Sequence, residues 1–482
     1  MKRTESGEPD DGKLSRPVRE GVWGKVPASS GQLAPFLLHY LNLLNFFAST
    51  TQGEELWQAF GDRIMLINPI SNSDHLVGLN AIDPLSPFEA SDPDRVALLA
   101  NALVSHIRSQ SGFEMAEANR MQNIMAAAIG LLAEGGQGRL TLAEMPFLFE
   151  PSYRYEGKKR ISEAHNPFVR YLLSKATHQG TLSFWNSQWP TWTANARREW
   201  VQSTEGRIFQ YLFDERLLMT VCTAKHAKLD LAEAVKRGYW VFVNLPYALL
   251  SDTVTTLLGN LIATRIFYAC MQRPPGSTPY RLILDEARFF ANGPLDVILE
   301  TSRAYNLWLT LVVQSLDQMC RSRNGRLDEH LMHTAINNAR YFSIFHNTSD
   351  NETLARLMFP VTGRVIAGYN WHVHAFEYLP VPAEINENER FFMDLGPRQV
   401  VLWDKLGFEG PRVWRTPEVI MDEPDHRWLR RFEARHLAQT GAKKRAILEE
   451  ISERQERVRS MFASKDKPPR RTASRMRPGG RL

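Results

Sequence analysis

The chain has 482 residues, of which 43% are hydrophobic and 23% are charged. At roughly 150 residues per domain this length allows about three domains, and the composition excludes a wholly disordered chain or a fibrous repeat. The formal net charge is +5, but residues 441–482 contain 13 Lys and Arg against 5 Asp and Glu. The basic charge therefore lies at one end of a nearly neutral chain.

The cysteines and the N-terminal residues indicate a cytoplasmic protein. Cys222, Cys270 and Cys320 stand far apart without a C-x-x-C pair, which argues against a disulfide framework and a cysteine zinc site. Residues 2–20 are polar, unlike a signal peptide. The apolar residues 33–47 are too few for a membrane span of ~20 residues. We predict a buried helix there and no membrane span; a peripheral contact with the inner membrane is the alternative.

The first 236 residues fall into three segments that differ in polarity and hydrophobic periodicity. Residues 1–32 are polar with scattered Gly and Pro, which predicts disorder. A helix is predicted from Leu33 and a buried strand at Arg63–Pro69. Residues 91–236 then show helical periodicity, with Met121, Ile124, Met125 and Ala128 on one stripe, and are predicted to be all-α. The aromatic stretch Ser183–Trp200 fits either base stacking or packing between helices, and we favour packing.

From residue 237 onward, apolar strands alternate with amphipathic helices, which is typical of an α/β fold with a mainly parallel sheet. We therefore predict one α/β domain formed by residues 33–90 and 237–425, with 91–236 inserted into it. Residues 426–482 are predicted to form a charged helix and a basic disordered tail. The predicted strands are Tyr239–Pro246, Arg281–Glu286, Asn306–Gln314, Tyr341–Phe345 and Gln399–Trp403.

Two adjacent carboxylates, Asp285 and Glu286, end the second of these strands. Ligands bind at the carboxyl ends of strands in open α/β sheets. Nucleotide hydrolysis needs one carboxylate to hold Mg²⁺ and a second to position or deprotonate the attacking water. We assign Asp285 to the nucleotide's Mg²⁺ and Glu286 to the water.

Two residues from the next segment extend this candidate site. Gln314 ends the following strand, and consecutive strands are usually neighbours, so its amide is predicted beside Asp285. Arg303 precedes that strand and is predicted to face outward, where it reaches a neighbouring subunit's nucleotide as an arginine finger. The alternatives are a polar cap at the strand end for Gln314 and a surface salt bridge for Arg303.

The run from Asp285 to Met319, DEARFF…LETSRAYNLWLTLVVQSLDQM, resembles the Walker B, arginine and glutamine segment of HerA/FtsK-type ATPases. Among these it is most similar to conjugative type IV secretion coupling proteins (TraD/TraG-like), over roughly residues 60–415. The resemblance implies a RecA-like motor with an inserted all-α domain. It also implies a homo-hexameric ring that uses ATP and Mg²⁺ to move DNA through its pore, with type IV secretion or relaxosome proteins as partners.

The phosphate-binding loop of that family has no good match. Its pattern, G-x-x-x-x-G-K-[ST] between a strand and a helix, cradles phosphates with backbone N–H groups and a Lys. The nearest segment, Gly7–Lys13, has Leu14 instead of Ser or Thr, two Asp residues and no preceding strand. We expect either a chain that starts after the loop or a relative that has lost hydrolysis. The two functional hypotheses are a DNA-translocating ATPase subunit and a non-hydrolysing adaptor that binds DNA or partner proteins.

Two arginine groups are the candidate DNA contacts. Arginine and lysine side chains neutralise phosphates and so supply most of the affinity that does not depend on sequence. One group follows the Gln314 strand in a predicted loop that faces the pore of a ring, with a solvated loop as the alternative. The other lies in the basic tail. The residues are Arg321, Arg323, Arg326, Arg470, Arg471 and Arg475.

Overall fold

The architecture is that of a computed structural model with side chains. The described residues are 43–47, 50–83, 115–156, 159–226, 230–250, 252–291, 295–323, 326–407, 410–416 and 426–463. The predicted disordered N-terminus, the Gly7–Lys13 segment and the tail arginines Arg470, Arg471 and Arg475 lie outside these ranges.

The strands of the described residues are short. They are β1 (Ile64–Ile67), β2 (His75–Leu76), β3 (Ser152–Glu156), β4 (Lys159–Glu163), β5 (Trp240–Val243), β6 (Tyr280–Leu284), β7 (Leu307–Leu311), β8 (Arg321–Arg323), β9 (Arg326–Asp328), β10 (Tyr341–Ile344), β11 (Ile366–Asn370), β12 (Ala375–Tyr378), β13 (Gln399–Asp404), β14 (Arg412–Arg415) and β15 (Ala442–Lys443).

The α-helices of the same ranges fall before, between and after these strands, and residues 43–47 add one helical turn. They are α1 (Thr51–Phe60), α2 (Met115–Gly136), α3 (Pro146–Phe149), α4 (Pro167–Leu173), α5 (Gln179–Ser183), α6 (Ala194–Phe213), α7 (Glu215–Val221), α8 (Leu231–Arg237), α9 (Tyr247–Leu250), α10 (Asp252–Met271), α11 (Leu295–Thr301), α12 (His330–Asn338), α13 (Asn351–Met358), α14 (Val381–Met393), α15 (His426–Thr440) and α16 (Lys444–Ala463).

Four of the predicted strands form two parallel pairs. β1 lies beside β5, with Ile64 opposite Trp240, and β6 lies beside β7, with Tyr280 opposite Leu307. The Tyr280 hydroxyl donates a hydrogen bond to the Tyr239 carbonyl at 2.8 Å, so the beginnings of β5 and β6 are held together. The carboxyl ends of β6 and β7 consequently lie at one edge, where the candidate carboxylates follow β6.

The prediction of a mainly parallel sheet does not extend to the later strands. β10, β13 and β14 form an antiparallel sheet, in which Tyr341 is opposite Asp404 and Gln399 is opposite Arg415. Between β10 and β13 the chain passes through α13, the β11–β12 hairpin and α14. The chain then runs along β13 beside β10 in the opposite direction. Antiparallel neighbours do not need the crossover connection that parallel strands require.

The segment predicted to be all-α contains a β-hairpin. β3 and β4 pair from Ser152 opposite Glu163 to Glu156 opposite Lys159. The helical stripe predicted from Met121 to Ala128 is buried in α2, whereas SYRYE and KRISE alternate in polarity with the period of two that suits a half-exposed strand. The all-helical prediction overlooked this short alternation.

The aromatic stretch packs inside the helical segment, as the packing interpretation predicted. Trp185 and Trp189 are buried with ring centroids 5.0 Å apart. Their indole nitrogens donate to the carbonyls of Ala127 at 3.1 Å and Ala164 at 2.7 Å. A buried Trp keeps its N–H paired in this way, and these two rings do not offer a stacking surface for bases.

The long apolar helix α10 lies in the core. Among the described residues, Val254–Met271 is the one stretch with the length and hydropathy of a membrane span, and 89% of it is buried within the fold. A core helix has the same composition. Gly259 lets α10 approach the 3-10 helix Ala287–Phe290 that follows Glu286, since a β-carbon there would lie 2.9 Å from Phe290 Cε1.

We expect Gly259→Val to lower the free energy of unfolding by about 2 kcal/mol, because overpacking a close contact costs ~1–3 kcal/mol. Urea denaturation measures the change. Gly206→Val is the matched control, since Gly206 lies in helix α6 and a β-carbon added there would have no neighbouring atom within 4 Å. Equal stability losses in the two variants would contradict the packing argument.

The C-terminal helices belong to the core. The sequence predicted a charged helix after residue 426, but α15 and α16 bury Leu437, Ile447 and Ile451. β15 between them pairs with β2, with Ala442 opposite Leu76. On α15, the imidazole Nε2 of His436 lies 3.0 Å from the Ile64 carbonyl oxygen at the start of β1, and burial lowers the histidine pKa. The last helices therefore cover the first strand of the fold.

Arg454 on α16 joins this helix to two earlier segments. Its guanidinium contacts the carboxylates of Glu144 and Glu450 and donates to Thr141 Oγ1 at 3.0 Å and to the Cys222 carbonyl at 2.7 Å. All of these groups are buried. Burial raises the pKa of Glu144, and the Arg454 charge opposes that rise. One guanidinium thus satisfies groups that are far apart in sequence.

Candidate functional site

The structure brings the predicted carboxylates and the predicted amide to one edge. The β6–β7 register ends with Leu284 opposite Leu311. Val312 N then donates to the Leu284 carbonyl at 3.0 Å, and Ala287 N donates to the Val312 carbonyl at 2.9 Å. These bonds hold the segment after β6 against the segment after β7, so Asp285–Glu286 and Gln314 emerge side by side.

Gln314 contacts Glu286 directly. Its amide Nε2 donates to Glu286 Oε1 at 2.6 Å. The Glu286 side chain is 15% exposed, and its backbone has φ +52° and ψ +56°. This left-handed conformation costs a non-glycine residue about 1–2 kcal/mol, and such strain clusters at functional positions. The turn aims the Glu286 carboxylate at the end of β7 rather than along β6.

The second carboxylate oxygen of Glu286 is buried and has no hydrogen-bond partner among the described residues. The nearest cation is Arg288, whose Nε lies 3.5 Å from Glu286 Oε2, within ion-pair reach but beyond a good hydrogen bond. A buried carboxylate oxygen without a partner costs about 1–3 kcal/mol or more. This oxygen therefore has an ion-pair partner but no hydrogen-bond donor among the described residues.

Asp285 is half-buried beside Glu286. Its Oδ1 accepts a hydrogen bond from the Glu286 backbone N–H at 3.1 Å. Carboxylate oxygens are the ligands that Mg²⁺ prefers, so Asp285 fits the cation that accompanies a nucleotide. No group of three or more His, Cys, Asp or Glu side chains in the described ranges could hold a metal ion by itself. Water and phosphate oxygens would have to complete the coordination.

Sequence reasoning missed Arg288 and Tyr247. The Arg288 guanidinium lies 4.5 Å from the Phe289 ring centroid and 5.4 Å from that of Tyr247 at the start of α9. Arg288 thus places a positive charge on the β5 side of the carboxylates. The signal in the sequence was a basic residue three positions after Asp285, in a 3-10 helix that the sequence did not predict.

The loop after β7 is fixed by a third carboxylate. Asp350 Oδ2 accepts from Leu316 N at 3.0 Å and from Asn347 Nδ2 at 3.1 Å. Gln318 Oε1 accepts from Gln314 N at 3.1 Å. The loop that carries Gln314 is therefore held from its own 3-10 helix and from the segment after β10.

Arg303 lies at the opposite edge. It is exposed in the 3-10 helix Ser302–Tyr305 that precedes β7. Five residues of a strand span roughly 16 Å, so Arg303 and the carboxylates of the same chain are not brought together. No ion pair involves Arg303 within the described part of the chain. A role of Arg303 toward a neighbouring subunit's nucleotide therefore stays a prediction.

Residues 321–323 and 326–328 form two antiparallel strands rather than the predicted loop. β8 and β9 pair with Arg323 opposite Arg326 and Arg321 opposite Asp328. The side chains of Arg321, Arg323 and Arg326 lie outside the described structure, so their contact with nucleic acid stays a prediction.

The carboxyl ends of the other parallel pair are closed by polar side chains. Asn68 follows β1 and Asn244 follows β5, and Asn244 Nδ2 donates to Asn68 Oδ1 at 3.1 Å. Asn68 Nδ2 in turn donates to Glu433 of α15 at 2.6 Å. Among the described residues, no glycine-rich loop joins a strand to a following helix. The described residues thus include the predicted carboxylates and amide but no loop of the phosphate-binding pattern.

Among known proteins, the chain is similar to solved structures of a conjugative coupling protein. No protein-family model matches the chain, and no curated protein matches it in sequence. Solved structures similar to it include the unbound bacterial conjugative coupling protein TrwBΔN70, with 13% identity over 75% of this chain and 76% of that one and a TM-score of 0.49. TrwB with the GTP analogue GDPNP has 14% identity over the same shares and a TM-score of 0.48. TrwB with ADP and Mg²⁺ has a TM-score of 0.45.

The comparison names the same kind of protein as the motif resemblance, a conjugative coupling protein. With identities of 13–14% and TM-scores below 0.5, it assigns no activity, ligand or residue role to this chain.

Proposed function

We propose that the chain is a DNA-translocating ATPase subunit of the conjugative coupling class, with a RecA-like motor domain. The observation that carries this proposal is the hydrogen bond from Gln314 to Glu286, beside Asp285, at the carboxyl ends of two parallel strands. This arrangement supplies a cation-binding carboxylate, a second carboxylate and a neutral amide around one point at a sheet edge. Nucleotide hydrolysis uses a carboxylate that holds Mg²⁺ and a residue that positions or deprotonates the attacking water.

Each residue has a distinct role in the proposed site. Asp285 holds the Mg²⁺ of the nucleotide, which neutralises phosphate charge when bound. Glu286 Oε2, which faces Arg288, accepts a proton from, or orients, the attacking water. Gln314 fixes the rotamer of Glu286 and reports the state of the site to the loop after β7. Arg303 acts on the nucleotide of a neighbouring copy, where an arginine finger contributes ~10³-fold or more.

Hydrolysis by the purified full-length chain tests the proposal. We expect ATP turnover that increases several-fold when single- or double-stranded DNA is added, and a dependence on Mg²⁺. The same preparation is assayed for ATP binding by equilibrium dialysis. Failure to bind ATP in the presence of Mg²⁺ and DNA would remove the proposal.

A non-hydrolysing adaptor is the second candidate function. It is favoured by the Asn68–Asn244–Glu433 chain, which closes the end of β1 and β5, and by the lack of a glycine-rich loop in the described ranges. Such an adaptor would contribute the fold and the basic tail to a cytoplasmic assembly of DNA with type IV secretion or relaxosome proteins. ATP binding at micromolar affinity would contradict it.

DNA binding through the tail is expected in both cases. Residues 465–482 contain seven Lys and Arg and one Asp. Replacing Arg470, Arg471 and Arg475 with serine is expected to lower the slope of log affinity against log salt by about 2 to 3, because each phosphate contact contributes ~0.7–0.9. Fluorescence anisotropy at several salt concentrations measures the slope. The control replaces three exposed arginines of α16, Arg445, Arg457 and Arg459, and an equal change in both variants would locate the binding elsewhere.

A further inference from the structure

The β11–β12 hairpin exposes an unusual amount of apolar surface. Every residue of β12 is exposed, and Trp371 in the turn is 76% exposed. The hairpin is held together by its own side chains, since the Tyr369 ring lies 4.8 Å from Trp371 and 5.3 Å from Phe376. Asn370 Nδ2 also donates to Glu377 at 2.7 Å. An isolated two-stranded hairpin is only marginally stable in water, so this one is expected to gain from a partner.

The exposed area approaches that of a specific interface. The large exposed side chains offer on the order of 600 Å², because an aromatic side chain buries ~150–250 Å² when covered. A standard interface buries roughly 800 Å² on each partner. Monomeric proteins rarely expose a contiguous apolar patch larger than a few hundred Å² unless it binds a partner. The side chains are Ile366, Tyr369, Trp371, Val373, Phe376 and Tyr378.

A second exposed apolar surface lies on the outer face of β6 and β7. Ile283 is 60% exposed and Trp308 is 54% exposed, and Val312 continues the same face. The parallel register sets Ile283 opposite Thr310 and Arg281 opposite Trp308, so these residues share one side of the pair. Parallel strands in α/β proteins are normally covered on both faces. Within the described part of the chain, this face stays largely exposed.

The hairpin and the β6–β7 face carry side chains of opposite charge, so each fits the other better than a second copy of itself. The hairpin carries the exposed Glu377, whereas the strand face carries the exposed Arg281, whose guanidinium lies 5.7 Å from the Trp308 ring centroid. Residues 361–381 contain one Arg and one Glu, so they sum to no formal charge. A DNA contact is disfavoured here because nucleic-acid affinity depends mainly on positive charge. Both surfaces are exposed in one chain, so they do not cover each other within it.

We propose that the β11–β12 hairpin of one copy packs on the outer β6–β7 face of a second copy. This is a head-to-tail contact, in which different surfaces of identical chains meet, and such contacts generate rings or filaments. Because Val312 is two residues before Gln314, the partner's hairpin would lie beside the candidate site. The inference does not depend on ATP hydrolysis and goes beyond the proposed function.

Complementation between two surface variants tests this contact. Trp371→Ser removes the hairpin surface and Trp308→Ser removes the strand face. We expect each variant alone to associate at least tenfold more weakly than the unmodified chain in analytical ultracentrifugation. Mixed together, the two are expected to form 1:1 dimers and nothing larger, since each pair then has one intact hairpin against one intact face. Phe213→Ser, which changes another exposed aromatic residue (77%) on α6, is the control and is expected to leave association unchanged.

Cross-linking checks which surfaces meet. In a Cys320→Ser background, His372→Cys and Thr310→Cys chains are mixed and treated with a short bis-maleimide; Cys222 and Cys270 are buried. A product that needs both variants supports the proposal. A product from His372→Cys alone would show a hairpin-to-hairpin contact and overturn it. A monomeric unmodified chain, or a mixture that stays monomeric, would also overturn it, as would a loss of single-stranded DNA affinity in Trp371→Ser with association unchanged.

Discussion

Replacing Glu286 with glutamine is expected to lower DNA-stimulated ATP hydrolysis by about 100-fold or more, while ATP binding stays within a few-fold. General base catalysis contributes typically 10²–10⁴-fold. Glutamine keeps the shape of the side chain and the oxygen that accepts from Gln314 Nε2, but it cannot take a proton. The separation of turnover from binding is the informative part, because a change that disturbed the fold would weaken both.

The measurement is steady-state ATP turnover with saturating DNA, together with ATP affinity by dialysis. Glu300→Gln is the matched control, since Glu300 is exposed on α11 outside the site, and its turnover is expected to equal that of the unmodified chain. Equal turnover by Glu286→Gln and the unmodified chain would show that hydrolysis does not use this carboxylate.

Arg454→Ala is expected to lower the free energy of unfolding by about 3–5 kcal/mol, which is the usual cost of removing one partner from a buried ion pair. The change leaves the carboxylates of Glu144 and Glu450 in the interior without their cation. It also removes the donors to Thr141 Oγ1 and the Cys222 carbonyl. Urea denaturation followed by circular dichroism measures the loss.

The pH dependence of this loss follows from Glu144. Burial already raises the pKa of Glu144, and Arg454 opposes the rise, so the variant's folded state has a still higher Glu144 pKa. A folded state that binds the proton more tightly than the unfolded state gains stability as pH falls through the folded pKa. The loss of free energy of unfolding in Arg454→Ala is therefore expected to be smaller at about pH 5, which is close to the ordinary glutamate pKa, than at about pH 7.5.

Arg445→Ala provides the control for Arg454→Ala. Arg445 lies on the same helix and pairs with Glu449 at i+4, but its side chain is 90% exposed. Exposed pairs of this kind contribute about 0.3–0.5 kcal/mol. A loss at Arg454 no greater than the loss at Arg445 would show that the buried network does not stabilise the fold.

Short-range patterns predicted the parts of the fold that depend on neighbouring residues. The apolar runs ending in Asn68, Asp285 and Gln314 are strands, and the proximity of Gln314 to Glu286 followed from the tendency of consecutive strands to pair. The left-handed turn at Glu286 and the position of Arg288 depend on how α10 and the 3-10 helix pack around Gly259. No local pattern reports that packing.

The C-terminal helices show why contacts between residues that are distant in sequence were not predictable. The sequence of α16 is highly charged, and it has the appearance of a solvated helix. Arg454 is buried against Glu144, which lies 310 residues earlier in the chain. A charge that is paired in the interior looks the same in sequence as one in water. The reversal between β10 and β13 is equally non-local, since 54 residues separate the ends of the two strands.

Asp350 connects the loop after β7 to the segment that follows β10. One carboxylate oxygen holds the loop after Gln314 and, through Asn347, the turn that leads from β10 into α13. In the proposed motor, a displacement of the Gln314 amide on phosphate release would be passed through Asp350 to the turn after β10. Under the proposed function, Asp350 would couple hydrolysis mechanically to the segment that leads through α13 to the β11–β12 hairpin.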